Sequence, residues 1–292
     1  MVYRFFCLCV VALYVMVGGG AMADGARGID FPSLSGDEEV VIRARHGIEW
    51  RRDERRYIAR GDASVRQGDK AIYADMLTLI YREESDTMEG GMGSIKRLEA
   101  EGHVRIETAS ERAMADKGTY DVMEGKIMLT GESVSIHSGA LTMHAKNHFT
   151  YWRELALGVA EGDASVQKGD AMLQGDVLVA EFLQEGDRAT GISMIEAYGN
   201  VRVSDAAQHV RGKQGTYHVE RGLADIMGDV EIVYGRHTLR GEHAQFDFDK
   251  GVSRLVAGAP ADDDTLMWKK RARAVIQLDD PTLDTFFEEE TQ

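Results

Sequence analysis

Proline is nearly absent from this 292-residue chain: there are three, and none falls between Ser33 and Ala259. So long a stretch without proline suits β-ladders, which need every backbone donor. Cysteine is as scarce. Cys7 and Cys9 are the whole supply, and both precede residue 24, so the rest of the chain has no disulfide, thiolate metal site or cysteine nucleophile. Cations are short too: Lys+Arg 34 stand against Asp+Glu 49, a net charge of −15. That balance argues against nucleic acid as the main partner, because neutralising phosphates needs a basic face. Hydrophobic content of 43% with 28% charged residues excludes both a disordered polyelectrolyte and a polytopic membrane protein. No glycine-rich phosphate loop or serine nucleophile elbow occurs. Carboxylates abound everywhere, so no glycosidase pair stands out.

The amino terminus is the one targeting signal. Arg4 precedes the apolar run Phe5–Val17, and Gly18-Gly19-Gly20-Ala21-Met22-Ala23 follows. This order matches a secretory signal peptide over residues 1–23, cleaved after Ala23. The rival is a retained anchor, since Phe5–Ala23 spans 19 residues, close to the length of a membrane helix. Export places the chain in the periplasm.

What the chain has in quantity is glycine, 32 residues of it, and the glycines are periodic. Gly61-Asp-Ala-Ser-Val65, Gly102-His-Val-Arg-Ile106, Gly131-Glu-Ser-Val-Ser-Ile136, Gly162-Asp-Ala-Ser-Val166, Gly199-Asn-Val-Arg-Val203 and Gly228-Asp-Val-Glu-Ile232 are six copies of one pattern. Fourteen residues after the glycine stands a charged residue: Asp75, Asp116, Asp176, Lys213 and Glu242. In the third copy it is Lys146, at fifteen, and that copy carries one extra residue before Val134, which suits a bulge. An aromatic follows each time: Tyr81, Tyr120, Phe149, Phe182, Tyr217 and Phe246. A longer period lies above the short one. Gly61–Val65 recurs verbatim at Gly162–Val166, an offset of 101, and Gly118-Thr119-Tyr120 recurs at Gly215-Thr216-Tyr217, an offset of 97. Three copies were duplicated as a block. The expected divisions are the signal segment 1–23, an amino-terminal segment 24–40, blocks over 41–160 and 161–258, and a carboxy-terminal strand with an acidic tail over 259–292.

Within each copy apolar and polar residues alternate, as in Val104 and Ile106 against Arg105 and Glu107. A period of two means half-buried strands, one face inside and one wet. Each copy divides into about four short strands separated by Gly, Asp and Asn turns. The expected architecture is all-β and elongated, two facing antiparallel sheets splayed into an apolar trough. Edge strands at its ends invite head-to-tail self-association.

The motifs Leu98-Glu-Ala-Glu-Gly-His-Val-Arg-Ile106, Gly118-Thr-Tyr-Asp121, Lys126-Ile-Met-Leu-Thr-Gly131 and Leu239-Arg-Gly-Glu242 resemble the OstA-type repeats of the lipopolysaccharide-transport LptA family, over about residues 40–258. The resemblance implies a twisted, open β-jellyroll that holds acyl chains between its sheets, and copies stacked into a bridge across the periplasm. It also implies lipopolysaccharide or a related glycolipid as cargo, LptC-like and LptD-like partners, no cofactor and no enzymatic activity. A full LptD is not expected, since no outer-membrane barrel sequence follows.

Candidate residues lining the lipid-binding groove are Val65, Leu77, Leu79, Val104, Ile106, Val134, Ile136, Val166, Leu178, Val201, Val203, Val230 and Ile232. The competing reading makes them ordinary core residues of closed sheets. Basic clusters at Arg43/Arg45/Arg51/Arg52/Arg55/Arg56 and Lys269/Lys270/Arg271/Arg273 offer charges to an anionic headgroup, or are simply a solvated face. Arg271–Leu278 alternates like a final strand, and Asp279–Gln292 is an acidic tail. His144 and His148 have metal spacing for a helix, but the local pattern is strand, so no metal site is expected. Two rival functions remain: a structural or adhesive β-solenoid with a filled core, and an inner-membrane-anchored LptC-like component.

Overall fold

Every regular element among the described residues is a β-strand. The protein is a computed structural model that describes residues 39–82, 95–185, 188–206, 208–247, 250, 252–256 and 273–275. The signal segment, the loop around Gly90–Gly93, Lys269–Arg271 and the acidic tail lie outside them. The strands are β1 (Val41–Arg43), β2 (Gly47–Arg51), β3 (Arg56–Gln67), β4 (Lys70–Tyr81), β5 (Ile95–Glu107), β6 (Glu111–Asp121), β7 (Lys126–Thr130), β8 (Val134–Ser138), β9 (Leu141–Ala145), β10 (His148–Trp152) and β11 (Leu157–Lys168). They continue as β12 (Ala171–Glu185), β13 (Arg188–Ser204), β14 (Gln208–His218), β15 (Leu223–Tyr234), β16 (His237–Asp247), β17 (Val252–Val256) and β18 (Arg273–Val275). The chain divides into two compact units. The first holds the described residues of 22–166 and 177–193, the second those of 167–176 and 194–292.

The four short strands expected per repeat are the halves of two long, bent ones. The repeat glycine and the residue after it form a bulge inside a continuous strand rather than a turn between strands. In the β3–β4 ladder, pairing runs from Arg60↔Met76 to Ala63↔Ala74, so Gly61 and Asp62 together face Asp75. The same slip occurs at Gly102/His103 opposite Asp116, Gly199/Asn200 opposite Lys213, and Gly228/Asp229 opposite Glu242. A bulge bends its strand and sharpens the local twist. Both of its residues are left-handed here: φ is +77° and +43° at Gly61/Asp62 and +70° and +48° at Gly199/Asn200. Of residues with a side chain, Asp, Asn and His tolerate that region best. They occupy the second bulge position at Asp62, His103, Asp163, Asn200 and Asp229, all with positive φ.

In the first unit each bent strand contributes to two ladders. The amino-terminal half of β3 pairs with β2, its carboxy-terminal half with β1. The halves of β6 likewise pair with β7 and β8. In the third copy the strand breaks instead of bulging: the inserted residue leaves 131–133 outside regular structure and separates β7 from β8. β7 then pairs with β10 in one ladder, and β8 with β9 in the other.

In the second unit one ladder joins β13 (from Met194), β14, β15, β16 and β17; the other joins the far halves of β13 to β16 and then β18. Thus the alternating Arg271–Leu278 segment supplies a strand of three residues, Arg273–Val275, paired with Thr238–Arg240.

Candidate functional site

Alternation along the bent strands sends one row of side chains from each ladder into a shared apolar interior. In the first unit Leu79, Leu98, Tyr120, Ile127 and Tyr151 are successive cross-strand partners in one ladder. Val65, Ile72, Ile106, Ala113 and Ile136 are successive partners in the other. The two ladders face each other. A Cβ built on Gly118, from the first ladder, would sit 3.4 Å from Val104 Cγ1 of the second and 3.3 Å from Leu129 Cδ2. Gly118 does not have a left-handed φ. Its lack of a side chain therefore serves space rather than conformation.

The second unit repeats this interior position for position. A small apolar cavity lies among Ile72, Leu98, Val104, Ile106, Gly118, Tyr120, Ile127 and Leu129. Another lies among Leu173, Ile195, Val201, Val203, Gly215, Tyr217, Ala224 and Ile226. Each residue of the second set follows its counterpart in the first by 97 or 101 positions. The cavities measure about 20 and 30 Å³, room for about one water each. At these two places, among the described residues, the faces leave little space.

Of the thirteen residues named from sequence, twelve are buried, among them Leu77 at 0%, Val134 at 0% and Val203 at 4% exposure. Val166 is half-buried. Val104 and Ile106 line the first cavity, Val201 and Val203 the second. Val65, Leu77, Leu79, Val134, Ile136, Leu178, Val230 and Ile232 pack in the core without lining either cavity. The residues that sequence reasoning missed are Leu98, Tyr120, Ile127, Leu129 and their counterparts. The alternation of Lys126–Thr130 and the recurring aromatic position carried that signal. Burial pushes the Tyr120 hydroxyl up from its ordinary pKa, as expected for a phenol held in apolar surroundings.

At the bends, the charged residue fourteen after the glycine (fifteen in the third copy) holds the start of the next copy in the first five copies. Asp75 Oδ2 meets His103 Nδ1 at 2.8 Å, and Asn200 Nδ2 donates to both oxygens of Asp176 at 3.1 and 3.0 Å. Lys146 pairs with Asp163 and Lys213 with Asp229. Asp116 accepts from the Glu132 backbone N–H at 3.0 Å in the broken copy, and Arg45 pairs with Asp62 at 3.2 Å in the first. Each exposed pair adds little by itself. Together they clasp successive strands where both ladders bend. Hydrogen bonding to Asp75 raises the His103 pKa above its usual value.

The amino-terminal arginines do not form a free cluster. Arg45 pairs with Asp62, Arg51 with Glu49 and Glu54, and Arg56 with Glu54; Arg52 lies over the Trp50 ring at 5.1 Å. His144 meets His137, with ring centroids 6.2 Å apart, while His148 pairs with Glu161 at 3.4 Å. Among the described residues no group of three His, Cys, Asp or Glu side chains is placed to hold a metal.

Residues 42–151 match the family described as LptA/(LptD N-terminal domain) LPS transport protein. The match spans less than half of the chain. The LptA/LptD-N match covers the first three copies. An uncharacterized protein of Rhizobium meliloti (strain 1021) is 24% identical over 106 residues, 36% of this chain. The chain spans 56% of that relative's length. The crystal structure of LptH, the LptA-homologous periplasmic component of the lipopolysaccharide transport device of Pseudomonas aeruginosa, is similar at 14% identity and a TM-score of 0.39, covering 47% of this chain and 94% of that one.

Proposed function

We propose that this protein is a periplasmic, non-enzymatic carrier in lipopolysaccharide transport, holding acyl chains between the two inner faces of each block. It would bridge inner and outer membranes, working with LptC-like and LptD-like components and associating head to tail at its edge strands. The observation that carries this reading is the duplicated interior: two facing apolar surfaces whose lining recurs residue for residue. The family match over residues 42–151 agrees with it.

Among the described residues the two interior cavities hold about one water each, so uptake of a hydrocarbon chain there requires the faces to part. The exchange is close to balanced, since acyl contacts replace contacts between Gly118 and Val104 or between Gly215 and Val201. The net drive comes from the lipid, which gains about 0.8 kcal/mol for each CH₂ removed from water. The test is mass spectrometry of lipid co-purified with the protein from native membranes, alongside Ile106→Asp and Val203→Asp variants. Glycolipid bound to the parent and absent from the folded variants supports the carrier. An empty parent sinks it.

The small size of these two cavities favours one second reading, a scaffold or spacer whose core needs no ligand. The same experiment separates the two, because a scaffold recovers no lipid. The anchored, LptC-like alternative depends on whether residues 1–23 remain in the folded protein, which sequencing its amino terminus decides.

A further inference from the structure

On the outer face of the second unit, Arg202, Arg211, Glu231, Arg240 and Arg273 are successive cross-strand partners across β13, β14, β15, β16 and β18. Four arginines and one carboxylate thus form a straight row on a protein whose net charge is −15. Like charges set directly opposite each other destabilise a sheet, and the row does this twice, at Arg202↔Arg211 and Arg240↔Arg273. Glu231 relieves only its own neighbours. Arg211 and Arg240 both bind it, the latter through Nε at 2.7 Å, and they hold its carboxyl below the usual range. Arg202 makes no hydrogen bond or ion pair among the described residues. The duplicated row of the first block keeps only the first arginine: there Arg105, Met114, Ser135 and His144 are the successive partners. Since the two blocks share their interior, the arginines beyond Arg202 are an addition that the fold does not require.

A hollow of about 350 Å³, open to solvent, is lined by Asn200, Arg202, Arg211, Lys213, Asp229 and Glu231. Both carboxylates already have cationic partners, Lys213 for Asp229 and the two arginines for Glu231. We propose that this hollow binds a compact phosphorylated saccharide, with Arg202 as its principal anchor. The charge balance selects the occupant. A long polyanion or an anionic membrane plane meets the repulsion of the whole acidic chain. A compact phosphorylated saccharide meets only the local cations. The hollow exceeds what a single phosphate fills, and guanidinium groups on neighbouring strands suit paired phosphate oxygens.

The experiment is titration calorimetry of the full chain with a deacylated, bisphosphorylated glucosamine disaccharide, with the unphosphorylated disaccharide and phosphatidylglycerol vesicles as comparisons. Acyl uptake is read separately with the intact glycolipid. Binding of the phosphorylated sugar alone, weakened about tenfold by Arg202→Ala and unchanged by Arg105→Ala, supports the site. Arg202 is exposed and unpartnered, so its variant folds. No binding, equal loss in both variants, or binding to vesicles without binding to the sugar overturns it. Saccharide binding without acyl uptake keeps the site and refutes the carrier; acyl uptake without saccharide binding does the reverse.

Discussion

A Cβ added to Gly199 would lie 2.1 Å from Asp176 Oδ2. The Asp176 carboxylate fills the place where a side chain would be, and the next residue, Asn200, donates two hydrogen bonds to it. The same contact occurs between Gly102 and Asp75, at 2.2 Å. Two demands therefore meet at one residue: a left-handed backbone and room for the neighbouring copy's acid.

Gly199→Ala is expected to destabilise the protein by about 1–3 kcal/mol, through left-handed strain plus displacement of Asp176. Combining it with Asp176→Ser should recover only part of that loss, since the strain remains. Urea denaturation of the four proteins of the cycle measures the coupling. A fully additive double variant would mean the acid yields freely and the close contact has no energetic role.

The clasp between His103 and Asp75 should titrate. Its ion pair raises the folded-state pKa of His103, so its contribution is full below the unfolded value, about 6.5, and fades as pH rises through the higher folded value. At the matching position of the second block, Asn200 holds Asp176 without a titrating histidine. NMR titration should find His103 shifted upward. Asn200→His should create a second group that behaves the same way, and an unshifted His103 would contradict the pairing.

Gly215 marks a constriction, because its built Cβ would lie 3.4 Å from Val201 Cγ1. Gly215→Val should cost about 1–3 kcal/mol by overpacking and reduce acyl uptake by the second block. Thermal unfolding reads the first effect and lipid binding the second. A variant with undiminished uptake would move the lipid path away from the faces.

Much of this fold was legible because strand periodicity, the absence of proline and the glycine repeat all agree. The alternation of Val104 and Ile106 placed both on an inner face, but the extra residue before Val134, which suits a bulge, breaks the strand instead. Three things were not legible. The Gly-Asp, Gly-His and Gly-Asn pairs read as turns between short strands, yet they are bulges within long ones, since both need left-handed residues. The spacing of fourteen was visible, but that Asp75 faces Gly61 in one ladder and grips His103 in the next depends on pairing between strands. Whether Leu77 lines a groove or packs a core depends on the distance between the faces, which no alternation pattern encodes.

A disulfide across each interior addresses that distance. Val104→Cys with Gly118→Cys, and Val201→Cys with Gly215→Cys, would join the facing ladders where they already touch. Bound glycolipid would be measured by native mass spectrometry on oxidised and reduced protein. The account predicts uptake only after reduction; equal uptake by the fully oxidised protein would contradict it.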